Sequence, residues 1–178
     1  MKKKIKQIYN KVGILGGTFD PPHIGHLHIS KIALKKLKLK KIIWIIAKQN
    51  PLKKKPYLSA DIRIKLSKNI IKNQKKISIK YQDDIIKSKN TFELLKYLKK
   101  KNKKIELFFL IGADNLISFH KWNKWKKIPS LAKIVVFARP NYSIKAHRSI
   151  AAKKLDKKDW IYIRAKGINI SSSLIRKF

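Results

Sequence analysis

The chain has 178 residues, 44% of them hydrophobic, which suits one domain of ordinary size with a core of its own. It has no cysteine, which excludes a disulfide framework and any thiolate metal site and fits a reducing compartment. The formal charge is +37, carried by 41 Lys and five Arg against nine acidic residues.

Such a field draws anionic ligands. A basic nucleic-acid-binding module would carry it too, but readers of nucleic acid lean on the planar Arg fork. Here Lys is spread along the whole chain and Ile occurs 30 times. We read a compositional bias that solvates the surface, and nucleic acid is not the expected partner. The N-terminal MKKKIKQIYNK starts like the basic part of a signal peptide, but Lys6, Asn10 and Lys11 break the apolar run that should follow. No stretch reaches the roughly 18 apolar residues of a membrane span. The expectation is a cytoplasmic protein with one domain over 1–178 and no membrane partner.

In chain order, Val12–Gly16 reads as a buried strand and Ile24 to Leu37 as a helix, with Leu27, Ile32, Ala33, Leu34 and Leu37 for its apolar face. Ile42–Ala47 is a second strand, apolar throughout as a strand covered on both faces would be. Lys48–Tyr57 holds two prolines and reads as a loop. Ser59 can cap a helix running to Ile71, with Asp61 at its positive end. Ile77–Tyr81 alternates like a strand. Thr91 can cap the next helix, with Glu93 in its first turn. Glu106–Ile111, Lys133–Ala138 and Trp160–Arg164 read as further strands, and Ser171 starts a short last helix. This order of strand, loop and helix predicts an α/β fold of the Rossmann-like, doubly wound kind, with a parallel sheet and helices on both faces. Ligands are then expected at the carboxyl ends of the strands.

The loop between the first strand and the first helix reads Gly16-Gly17-Thr18-Phe19-Asp20-Pro21-Pro22-His23-Ile24-Gly25-His26. Two glycines let the backbone turn sharply and approach a ligand closely. The following helix offers free N–H groups and partial positive charge, a ready phosphate site. His23 and His26, three apart, can project to one side and donate to phosphate oxygens in a transition state. A Gly-Gly pair alone would be a tight turn, and two such histidines alone a capped helix. A zinc pair lacks a third ligand nearby.

The string GGTFDPPHIGH resembles the signature of the nucleotidyltransferase superfamily, G-x-F-D-P-x-H-x-G-H, at Gly17, Phe19, Asp20, Pro21, His23, Gly25 and His26. The resemblance implies that His23 and His26 are catalytic. It also implies that Gly16, Gly17, Thr18 and Phe19 bind ATP with them. Ile170-Ser171-Ser172-Ser173-Leu174-Ile175-Arg176 resembles the second signature, I-S-S-T-x-I-R. A Ser-capped helix start plus the Arg176 guanidinium suits phosphate, so Ile170, Ser171, Ser172, Ser173 and Arg176 join the ATP side.

Nearly the whole chain is similar to the nicotinate-nucleotide adenylyltransferases. Asn50-Pro51-Leu52-Lys53 looks like the family's N-P-x-K loop, Thr91 opens a similar helix, and Ile111–Leu116 resembles I-G-x-D-x-L. Trp122 keeps the F-x-x-W spacing from Phe119, and Arg139-Pro140 lies in a segment like R-R-P-G-Y. The family's Tyr before the Thr is Asn90 here. The resemblance implies Asn50, Lys53, Thr91, Asp114, Trp122 and Arg139 as acceptor-binding residues. Trp122 can stack on a flat pyridine ring. Backbone N–H groups at Thr91 and near Trp122 can take a carboxylate. Lys53 and Arg139 can neutralise a phosphate, and Asp114 can accept from ribose hydroxyls. Plainer readings stand beside these: Trp122 as core, Asp114 as a helix cap, Lys53 facing solvent in its Lys run. The implied reaction is adenylyl transfer from ATP, with Mg²⁺ as the ion carried by the nucleotide, to nicotinate mononucleotide. Another adenylyl- or cytidylyltransferase of the same fold is the alternative.

Overall fold

Each apolar run of the sequence becomes a strand. The computed structural model describes residues 10–52, 54–164 and 172–176. The strands are β1 (Asn10–Gly17), β2 (Lys41–Ile46), β3 (Ile77–Tyr81), β4 (Ile105–Gly112), β5 (Ala132–Phe137) and β6 (Trp160–Ile163). They form one sheet in the order β3-β2-β1-β4-β5-β6, and every pairing is parallel. Boundaries shift by a residue or two from the expected ones, which is the usual fraying of element ends.

Helices α1 (Ile24–Lys36), α2 (Ala60–Ile71) and α3 (Thr91–Lys101) follow the first three strands. The central strands β1, β2, β4 and β5 are buried on both faces because each carries two sets of apolar side chains, whereas β3 at the edge alternates. Leu15, Trp44, Leu110 and Val135 pack with Leu27 and Ala33 of α1 on one face. Ile14, Ile45, Phe109 and Val136 pack with Phe92 and Leu95 of α3 on the other. The chain reverses its strand order between β1 and β4, so the loops leaving these two strands diverge and open a crevice there.

Several expectations need correcting. The N-cap of α3 is Asn90, not Thr91, which is the first helical residue. Asn90 makes no capping bond; the Ser88 hydroxyl instead accepts from the Asn90 N–H at 3.2 Å. Three short helices were not anticipated or only hinted at: α4 (Ala113–Ser118), α5 (Ser143–His147) and α6 (Ile150–Lys154). The short last helix is present as α7 (Ser172–Ile175), and the expected Ser171 lies outside the described residues with Ile170 and Lys53. Ser59 caps α2 as expected, its hydroxyl accepting from the Ile62 N–H at 3.4 Å.

Candidate active site

The first loop leaves the sheet at its switch point, but not by the expected glycine turn. Gly16 and Gly17 are the last residues of β1 and pair in register with Ile45 and Ile46. The left-handed residue is Phe19, at φ 51°. What the glycines supply is the bare backbone: both line a cleft of about 840 Å³ at the carboxyl ends of the strands.

Phe19 is buried and holds the loop down by stacking on Trp44, with ring centroids 5.2 Å apart. Trp44 in turn donates its indole N–H to Ser30 at 2.9 Å, and Ser30 donates to the His26 carbonyl at 2.8 Å. The start of α1 is thus anchored from beneath. His23 is its N-cap and His26 lies one turn on, with the two rings 3.9 Å apart, so they share one side as expected.

The imidazoles are not equivalent. His26 Nδ1 accepts the His23 backbone N–H at 3.2 Å. The neutral ring therefore carries its proton on Nε2, a donor. His23 is 5% exposed, and both of its ring nitrogens are buried without a hydrogen-bond partner. Burial, aided by the Arg139 charge, lowers the His23 pKa to about 4. Burial, then His23 and Arg139, hold the His26 pKa well below its ordinary value. Both rings are neutral near pH 7, and an unpartnered buried donor is a standing demand for an acceptor.

Asp20 organises the far wall, a role the sequence did not reveal. Its buried carboxylate accepts the N–H groups of Tyr57 and Leu58 at 2.9 and 3.0 Å. It lies 3.7 Å from Arg176 Nη1, which also donates to the Asp20 carbonyl. Ser172 donates to the Pro21 carbonyl at 2.8 Å, and the Arg176 guanidinium sits 5.1 Å over the Tyr57 ring. So α7 docks against the first loop, as the pairing of the two motifs requires. Ser172, Ser173 and Arg176 all line the cleft.

The same cleft is also lined by Asn50, Thr91, Asp114, Trp122 and Arg139. They come from five segments. Asn50 accepts the Leu52 N–H at 2.9 Å and shapes its loop. Thr91 opens α3, whose first N–H groups have no partner within the helix. Trp122 is half-buried, packed on Phe119 with centroids 5.1 Å apart, so it is both core and cleft wall. Its backbone N–H donates to the Phe119 carbonyl at 3.0 Å, so that group cannot serve a ligand carboxylate. Asp114 lies in the first turn of α4 rather than at the cap. Its Oδ1 is 3.3 Å from Arg139 Nε. Gly112 makes room for this pair: a Cβ there would stand 2.4 Å from Asp114 Oδ1 and 2.9 Å from Arg139 Nε. Lys54, Lys55, Lys89 and Lys121 also line the cleft. A Lys run hid Lys54 and Lys55, and the Lys spread along the whole chain hid Lys89 and Lys121. The cleft therefore has a neutral imidazole floor and a cationic rim.

This geometry has relatives. The model of the cytidylyltransferase-like family matches residues 14–178. A Pelagibacter ubique protein named "probable nicotinate-nucleotide adenylyltransferase" is 46% identical over 99% of this chain and 97% of its own. A Ruegeria protein of the same name is 38% identical over 80% of this chain and 75% of its own. This chain belongs to the nicotinate-nucleotide adenylyltransferase family. The fold is also that of Plasmodium falciparum nicotinic acid mononucleotide adenylyltransferase, solved as a complex with NaAD. That structure aligns with a TM-score of 0.78 over 96% of this chain and 84% of its own, at 24% identity. Among the described residues no helix is long and apolar enough to cross a membrane.

Proposed function

We propose that this protein transfers the adenylyl group of MgATP to nicotinate mononucleotide. The products are nicotinate adenine dinucleotide and pyrophosphate, in NAD biosynthesis in the cytoplasm. The observation that carries the reading is the His23–His26 pair: two neutral imidazoles beside a helix start, one with both ring nitrogens buried and unpartnered. A triphosphate laid across the first loop gives those donors their acceptors. The family membership supports the choice of acceptor.

An oxygen of the mononucleotide phosphate attacks the α-phosphorus of ATP. A new P–O bond forms as the bond to the β-phosphate oxygen breaks, and pyrophosphate carries the electron pair away. The attacking group is already an anion, so the protein supplies no nucleophile and no base. Its work is placement and charge stabilisation. His26 Nε2–H and the His23 ring donate to α-phosphate oxygens as negative charge builds. Arg176, Ser172 and Ser173 meet the leaving phosphates from α7, and the motif gives Ile170 and Ser171 a share in ATP binding. Gly16, Gly17, Thr18 and Phe19 bring backbone close to the nucleotide. Arg139 and Lys53 meet the acceptor phosphate, Asp114 accepts from a ribose hydroxyl, Trp122 stacks on the pyridine, and Asn50 and the Thr91 helix start position the base.

Among the described residues no three or more His, Asp or Glu gather as a metal site. The Asp20 carboxylate is already engaged by two N–H groups and faces Arg176. These donors suit Mg²⁺ arriving on the triphosphate as part of the substrate.

The test is a screen of pyrophosphate release. ATP and CTP are each paired with nicotinate mononucleotide, nicotinamide mononucleotide and phosphopantetheine. Release from ATP with nicotinate mononucleotide in clear excess over the others is expected. Preference for CTP or for phosphopantetheine would replace the reading with another transferase of this fold.

A further inference from the structure

The proposed reaction needs two loops held in one geometry, and a residue outside the cleft joins them. Arg63 of α2 is 2% exposed and does not line the cleft. Its guanidinium nevertheless reaches four main-chain carbonyls. Nη1 donates to both Thr18 O at 2.6 Å and Ala47 O at 2.7 Å. Nη2 donates to Lys48 O at 3.2 Å, and Nε to Leu58 O at 3.1 Å. Thr18 belongs to the first loop, Ala47 and Lys48 open the loop that carries Asn50, and Leu58 closes it.

Burying a guanidinium is unfavourable unless its N–H groups are met, and an apolar side chain would fill the same space without that penalty. The four carbonyls are what the charge is there to hold. One nitrogen shared by Thr18 and Ala47 means that neither loop can shift without disturbing the other's bond. Asp20 completes the frame from the first loop by accepting the Tyr57 and Leu58 N–H groups. The second loop is thereby pinned at both ends, and Asn50, Pro51, Leu52, Lys54 and Lys55 between them line the cleft.

We propose that Arg63 is a positioning residue that fixes the ATP loop and the acceptor loop relative to each other, an inference that rests on the functional reading above. The fork is essential, because an ammonium is a point donor that cannot span three segments.

Arg63→Lys tests this against a purely structural role. Amides of 47–58 should exchange hydrogen about tenfold faster, as expected for lost charge-assisted bonds, while those of β1, β4 and β5 keep their rates. The KM values for ATP and for nicotinate mononucleotide should rise together, each about tenfold. A lowered melting temperature with both KM values unchanged, or faster exchange throughout the sheet, overturns the proposal. Should R63K fail to fold, the wild-type protein carries the test. A non-hydrolysable ATP analogue should then tighten nicotinate mononucleotide binding about fivefold or more, and independence of the two ligands overturns it. A wild-type protein that releases no pyrophosphate from this pair defeats the functional reading. The exchange measurement uses no substrate and judges Arg63 separately.

Discussion

The residues that the proposed function gives to ATP and to the acceptor are built on opposite principles. At the proposed ATP end, His23, Phe19 and Asp20 are buried: His23 lies against His26, Phe19 packs on Trp44, and Asp20 is bonded to main chain. At the acceptor end, the walls come from five segments, the Asp114–Arg139 pair is partly exposed, and lysines stand along the rim. In the proposed reaction charge develops at one phosphorus, and groups facing it would have to be fixed before substrate arrives. The acceptor would be held by several weaker contacts, a task that tolerates exposure.

The largest expected effect breaks the ATP end alone. Changing His23 or His26 to Ala should lower kcat about a hundredfold, some 3 kcal/mol of barrier, with the KM for nicotinate mononucleotide little changed. Steady-state pyrophosphate release measures it. An unaltered kcat in both variants would remove the histidines from the mechanism.

Acid should expose the same end. His23 has a pKa of about 4 in the folded protein and about 6.5 unfolded. Between these values the unfolded chain binds more protons. Stability is therefore full above about pH 6.5, declines as pH falls towards 4, and levels off below. The loss from His23 is on the order of 3 kcal/mol, and His26 acts in the same direction. Urea unfolding at pH 7.5 and 4.5 measures the slope, which H23A should flatten. An equal slope in the variant would mean that other groups carry it.

The acceptor end has a smaller lever. In Gly112→Ala the new methyl displaces the ends of two flexible side chains, so folding should change by less than about 1 kcal/mol. The Asp114–Arg139 pair must move, and the KM for nicotinate mononucleotide should rise about tenfold while that for ATP holds. A rise in both would mean that the two ends are less separate than their construction implies. The smallest effect lies away from the cleft. Ser149 caps α6 by accepting the Ala152 N–H at 3.2 Å. Ser149→Ala should cost about 1 kcal/mol in urea unfolding and leave both KM values unchanged.

The sheet was legible because strands covered on both faces must be apolar throughout, as in Ile42–Ile46 and Leu107–Ile111. The ATP end was legible because its residues are contiguous in two short strings. The glycine pair misled: extended glycines look the same in sequence as turning ones, and Phe19 made the turn instead. Helices α5 and α6 have five residues each, too few for a period to show. Arg63 left no signal at all. Its partners are carbonyls, which every residue possesses, brought together from three distant segments. Asp20 was visible as part of a motif, but its N–H partners at 57 and 58 were not.

The pinning of the second loop has an evolutionary consequence. Both anchors grip main-chain atoms, Arg63 the carbonyls of Ala47, Lys48 and Leu58, and Asp20 the amides of Tyr57 and Leu58. Neither anchor uses a side chain of the loop itself. Lengthening such a segment is cheap, about 0.6 kcal/mol for each doubling. The sequence from Gln49 to Pro56 can therefore change without loosening either anchor. On the proposed function, such changes would alter the contacts offered to the acceptor while the first loop keeps its own.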